Sequence, residues 1–143
     1  MQVRSERGSM LVEMVFLMVL LMVPLLYLVG TLGRLQAGAY ASSAAARESG
    51  RAYVTAATDG SAPGRGAAAA ALVFDAFGFD QGQGSVSITC AVDPCLTPGG
   101  RVRVDSTVDV AVPLVPDFMS GVIPTTITMT SSHTEPVDEF REG

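Results

Sequence analysis

The sequence predicts an α+β chain: a long N-terminal helix that spans a membrane in its first half, a short second helix, and a small antiparallel β-sheet of about three strands. Three observations predict it. Met14 to Gly33 is a run of 20 residues without a charge, rich in Leu, Val and Met. The stretch LQAGAYASSAAARESG that follows is Ala-rich and therefore strongly helical. After DQGQGS, residues 80–85, the apolar period changes from helical to two.

Taken in order, residues 1–8 are a short polar leader, and from Ser9 to about Thr58 only isolated glycines and Pro24 oppose a continuous helix. A helix over 9–58 would be about 75 Å long. Its segment 14–33 spans roughly 30 Å, the thickness of the hydrocarbon layer of a bilayer. Pro24 removes one backbone donor, and membrane helices tolerate that. The apolar run is longer than the h-region of a secretory signal peptide, and the A-x-A-like site Ala39-Tyr40-Ala41 lies well beyond its end. Arg4 and Arg7 favour an N-terminus in the cytoplasm, although Arg34 follows on the other side.

In the second half of this helix, Gly38, Ser42, Ala46 and Gly50 recur every four residues. Such a small-residue seam allows close approach of another helix, although Ala-rich helices also produce it by chance. Residues 59–66 fall in the breaker cluster TDGSAPGRG and read as a linker. A short helix is predicted over 67–77, opening an extracytoplasmic α+β domain at 67–134. Three alternating runs then read as half-buried strands. Val86, Ile88, Cys90 and Val92 form the first, Val102 to Val112 the second, and Ile127 and Met129 lie in the third. DPCLTPGG connects the first two. The tail 135–143 is acidic and expected to fray.

Composition excludes some functions. The net charge is −5, all nine basic residues are Arg, and no basic patch exists, so nucleic acid is not an expected partner. Phosphate-cradling Gly loops and paired catalytic carboxylates are missing from the sequence, and no enzyme activity or cofactor is expected. His133 is the sole histidine, in a Ser/Thr-rich run, and reads as a polar surface residue. Cys90 and Cys95 lack the further Cys or His that a structural zinc site needs, so no metal is expected. In an oxidising compartment a disulfide between them would close a small loop. PLVPDFMSGVIP, residues 113–124, places Phe118 and Met119 in a Pro-bounded loop, as a partner contact or folded on its own core.

The stretch RGSMLVE carries the functional signal. Gly8 marks the junction between the charged leader and the apolar run, and Ser9 would become the new N-terminus after a cut there. Glu13 is then the fifth residue of the product. A carboxylate at the edge of a membrane is costly unless it is paired or reaches water. Cleavage would supply a positive α-amine on Ser9 to pair with Glu13 of a neighbouring subunit, and would remove Arg4, Glu6 and Arg7. The plainer account has Ser9 capping the helix and Glu13 favoured by the helix dipole.

With these residues in place, the chain resembles substrates of prepilin peptidase carrying a class III signal. More narrowly, it resembles the TadE-like minor pilins of tight-adherence (Flp, type IVc) pilus systems. The resemblance rests on Gly8, Ser9, Glu13 and the apolar run, and on AAARESGRAY, Ala44 to Tyr53. It covers residues 4 to about 58, and it departs from the family in placing its proline at Pro24 rather than nearer the acid. It implies cleavage at Gly8-Ser9, assembly guided by Glu13, and partners in prepilin peptidase, other pilin-like subunits, the assembly platform and the membrane. It also implies a single-pass protein of the cytoplasmic membrane, able to reach a surface pilus and take part in adhesion. The alternative is an uncleaved single-pass anchor whose outer domain binds a ligand or partner.

Overall fold

The computed structural model describes residues 6–112, 121–122 and 124–141, with side chains from Met10 onward. The order of elements is α1 (Glu6–Val54), α2 (Ala62–Ala76), β1 (Gly84–Cys90), β2 (Arg101–Ala111) and β3 (Thr126–Pro136). The architecture is α+β, with a three-stranded antiparallel sheet in the order β1-β2-β3. The chain divides into two compact units between Arg34 and Leu35, inside α1.

In the first unit, the large aliphatic side chains from Met10 to Leu32 are all exposed. Helix hydrogen bonding satisfies the backbone, and α1 continues through Pro24. α1 is the one helix among the described residues long and apolar enough to cross a membrane.

The second unit starts where the side chains of α1 become small. Gly38, Ala41, Ser42, Ala45, Ala46, Ser49, Gly50 and Tyr53 are buried, at the spacing of one helical face. Two adjacent rows make up that face. A Cβ on Gly38 would overlap the Val110 methyl, and one on Gly50 would lie 3.4–3.5 Å from Glu135 and Val104. The row Gly38, Ser42, Ala46 and Gly50 therefore lies on this chain's own sheet rather than against another helix. The neighbouring row meets α2. Gly66 sits against Ser49, and Ala41 and Ala45 cluster with Ala70 and Phe74. The buried residues of α2, Ala62, Gly66, Ala70 and Phe74, recur every four positions, so two small-residue rows face each other.

The strands follow their pattern. On β2, Val102, Val104, Ser106, Val108 and Val110 are buried, while Arg103 and Asp109 face solvent. Burying each valine is worth about 1.5–3 kcal/mol, which makes β2 the main apolar contribution of the sheet. On the solvent face, Arg103 makes an ion pair with Asp105 at 3.0 Å, and Thr128 donates to Asp109 at 2.6 Å.

Several boundaries differ from those expected: α1 ends at Val54 rather than about Thr58, and β1 ends at Cys90, short of Val92. α1 already includes Glu6, within the leader, and Gly8 and Ser9 are helical. α2 starts at Ala62, inside the stretch read as a linker, because Pro63 stands in the first turn, where its missing N–H removes no helical bond. It ends in a Schellman motif. Gly78 has φ 73°, its N–H donates to the carbonyl of Asp75, and that of Phe79 to the carbonyl of Phe74. The tail does not fray through Arg141. Glu135 and Pro136 belong to β3, and Val137 is buried and exchanges backbone hydrogen bonds with Gly99 and Gly100. The Pro-bounded segment with Phe118 and Met119, and leader residues 1–5, lie outside the described residues.

Candidate functional site

α1 sets the geometry of the N-terminal site. Gly8 and Ser9 are helical, and Ser9 is not the N-cap, since the three residues before it already belong to the helix. Positions 9 and 13 are one turn apart on the same face, where Cβ atoms are about 5–6 Å apart. Glu13 is exposed between Val12 and Met14, and Leu11, Val15, Phe16 and Leu17 around it are exposed too. Among the described residues it has neither a hydrogen bond nor an ion pair. Between Met10 and Leu32 the helix surface is apolar on every side apart from this one carboxylate, which stands close to the positive dipole end.

The segment AAARESGRAY, Ala44 to Tyr53, lies within the second unit. Ala45, Ala46, Ser49, Gly50 and Tyr53 are buried, while Arg47, Glu48 and Arg51 are exposed. Arg47 donates to the hydroxyl of Ser43 at 2.7 Å. This spacing of small residues and charges is that of a helix lying on a sheet. Burial pushes the Tyr53 phenol above its usual range, and the Asp59 carboxylate adds to the rise. Its hydroxyl lies 3.8 Å from the sulfur of Cys90.

Cys90 and Cys95 form a disulfide with an S–S distance of 2.06 Å, at the end of β1. The loop it closes is held to the α1–α2 connection, where the Leu96 N–H donates to Asp59 at 2.9 Å. His133 is not a free surface residue. It is half-buried on the inner face of β3, with Nε2 2.8 Å from the Glu135 carboxylate. Sequence reasoning missed this because alternation places the histidine inward only once the register of β3 is known.

An open groove of about 770 Å³ runs beside α2, lined by Leu72, Phe74, Asp75, Phe79 and Asp80 among others. No nucleophile and base converge in it. No cluster of three His, Cys, Asp or Glu able to hold a metal exists among the described residues. No protein-family model, curated protein or solved structure matches the chain.

Proposed function

We propose that this chain is the precursor of a pilin-like structural subunit of the TadE-like kind, cut between Gly8 and Ser9 and assembled through its N-terminal helix. One observation carries the proposal. Glu13 is an exposed carboxylate without a partner among the described residues, one turn beyond Ser9, at the head of an apolar helix surface that runs from Met10 to Leu32. A plain anchor has no need of that acid, which stands at the edge of the apolar run, where a charge is costly unless it is paired or reaches water. A subunit that packs beside others does gain from it, since the α-amine released at Ser9 supplies the opposite charge. Removing residues 1–8 also takes away Arg4 and Arg7, which hold the helix at the cytoplasmic surface. In this reading the first half of α1 is the membrane anchor before assembly and the packing surface afterwards. The α+β domain stands outside the cytoplasm, where its disulfide persists.

The small-residue row of α1 supports a narrower role than docking. Because Gly38, Ser42, Ala46 and Gly50 are covered by the chain's own sheet, contacts with neighbouring subunits fall to the exposed apolar half and to Glu13.

The test is co-expression with a prepilin peptidase, followed by intact-mass measurement of the membrane-extracted protein. A product starting at Ser9, abolished by Gly8→Val, is expected. Glu13→Gln should be cleaved normally yet be lost from sheared pilus fractions. A chain that keeps Met1 under these conditions, or a Gln variant recovered at the wild-type level, would overturn the corresponding part of the proposal.

A further inference from the structure

The two edges of the sheet are not alike. β1 is short, carries α2 alongside it, and has its first residue bridged to Gln81. β3 is 11 residues long, and its outer side is bare among the described residues.

The register shows which groups that side offers. The Val112 N–H donates to the carbonyl of Thr125, and that of Val137 to the carbonyl of Gly100, so both pairs are hydrogen-bonded pairs of the β2–β3 ladder. Alternation in an antiparallel ladder then turns the N–H and C=O of Ile127, Met129, Ser131, His133 and Glu135 toward β2. Those of Thr126, Thr128, Thr130, Ser132 and Thr134 point away from the sheet, and none has a partner among the described residues. The same five residues put their side chains on the solvent face. Each therefore offers one backbone donor, one backbone acceptor and a hydroxyl, that of Thr128 as an acceptor only because it donates to Asp109.

Protected edges carry lysines, interior prolines, bulges or inward-pointing charges, and the one inward-pointing acid of β3, Glu135, lies at its end and is paired with His133. β3 has no lysine, interior proline or bulge, and its proline, Pro136, stands at the very end.

We propose that the free edge of β3 is a self-association surface, on which a second copy of this chain adds its own β3 antiparallel, with Thr130 on the two-fold axis. The strand is its own complement in that register. Thr130 meets Thr130, Thr128 meets Ser132, and Thr126 meets Thr134. Each is a hydrogen-bonded pair with two hydroxyls on the same face, a favourable cross-strand combination. Charge selects the direction. Glu135 is the one acid in the strand, and antiparallel pairing places its two copies at opposite ends, about 30 Å apart. Parallel pairing would stack them side by side. The two sheets become one of six strands without displacing any residue of the core. The pairing is independent of processing at Gly8.

The test uses single cysteines in the full-length protein, in native membranes, under mild oxidation, with cross-linked peptides identified by mass spectrometry. Residues of a hydrogen-bonded pair have Cα atoms about 5.5 Å apart, within disulfide reach. Thr130→Cys should convert almost wholly to a dimer linked through position 130 of each copy. Thr126→Cys alone should stay monomeric, because its partner is position 134, and should cross-link when co-expressed with Thr134→Cys. Ser87→Cys, exposed on β1, reports random collision and should also stay monomeric. Thr130→Pro, which removes an outward-pointing N–H, should abolish cross-linking between Thr126→Cys and Thr134→Cys copies carrying it. A monomeric Thr130→Cys variant, a cross-link to a different protein, or equal cross-linking at positions 87, 126 and 130 would each overturn the proposal.

Discussion

The guanidinium of Arg141 donates to the carbonyl oxygen of Val54 at 2.9 Å, 87 residues away in sequence. It also donates to the carbonyls of Ala56 and, at 3.0 Å, Ala57. The last turn of an α-helix leaves its carbonyls without partners and carries partial negative charge, and one planar cation here answers both needs. Arg141→Ala should therefore destabilise the α+β unit by about 1.5–3 kcal/mol, the range for hydrogen bonds that involve a charged group. Arg141→Lys should recover only part, since an ammonium cannot spread over the same carbonyls. Denaturant unfolding of the detergent-solubilised protein measures both. An Ala variant as stable as the wild type would show that the contact carries no energy.

This contact also shows where sequence reading stops. The strands were legible because Val102, Val104, Val108 and Val110 alternate with polar residues, and α1 because its apolar and Ala-rich runs are long. Arg141 stood in an acidic tail, and nothing near it in sequence reveals a helix end to cap. The start of α2 was hidden for another reason: Pro63 and the glycines at 64 and 66 read as breakers, yet Pro fits a first turn and Gly66 is needed for the approach to Ser49. At the candidate site, Gly8, Ser9 and Glu13 were legible as a spacing. The exposure of Glu13 required the structure.

Phe74 supplies a second prediction. A Cβ on Gly84 would come within 2.6 Å of its ring, whereas one on Gly64 would meet nothing within 4 Å. Gly84→Ala should cost about 1–3 kcal/mol through overpacking of a buried aromatic. Gly64→Ala should be neutral or stabilising by up to about 1 kcal/mol, the helix-propensity difference. Thermal unfolding of the two variants, side by side, should give shifts of opposite sign or leave only Gly84→Ala displaced.

Tyr53 makes stability depend on pH. Its phenol is raised by burial and by Asp59. Above pH about 10 the unfolded chain releases this proton while the folded chain keeps it. The contribution of Tyr53 is thus fully present below pH about 10 and is lost as pH rises through the higher folded value. Urea unfolding from pH 8 to 11 should show the wild type losing more stability than Tyr53→Phe over the upper part of that range. Parallel curves would refute the assignment.

The Cys90–Cys95 disulfide closes a loop with a sequence separation of 5. The chain-entropy account gives about 2 kcal/mol for so short a loop. Replacing both cysteines by alanine should lower stability by about that amount, and thiol titration of the denatured, non-reduced wild type should find no free thiol. Two titratable thiols in protein recovered from outside the cytoplasm would contradict the pairing.

The side chains of α1 change size near Arg34, and this matters before the protein has folded. A growing chain makes α1 first, when the sheet that will cover its second half does not yet exist. The residues later buried there, Ala41, Ser42, Ala45, Ala46 and Ser49, have almost nothing to gain from oil. Those from Met10 to Leu32 gain with every methylene. If α1 enters a membrane as proposed, an insertion channel that sorts nascent segments by their affinity for lipid meets a boundary written in side-chain volume, with Arg34 at its edge. The second half of the helix can wait in water for its partner strands, and it does so without offering the lipid a competing surface.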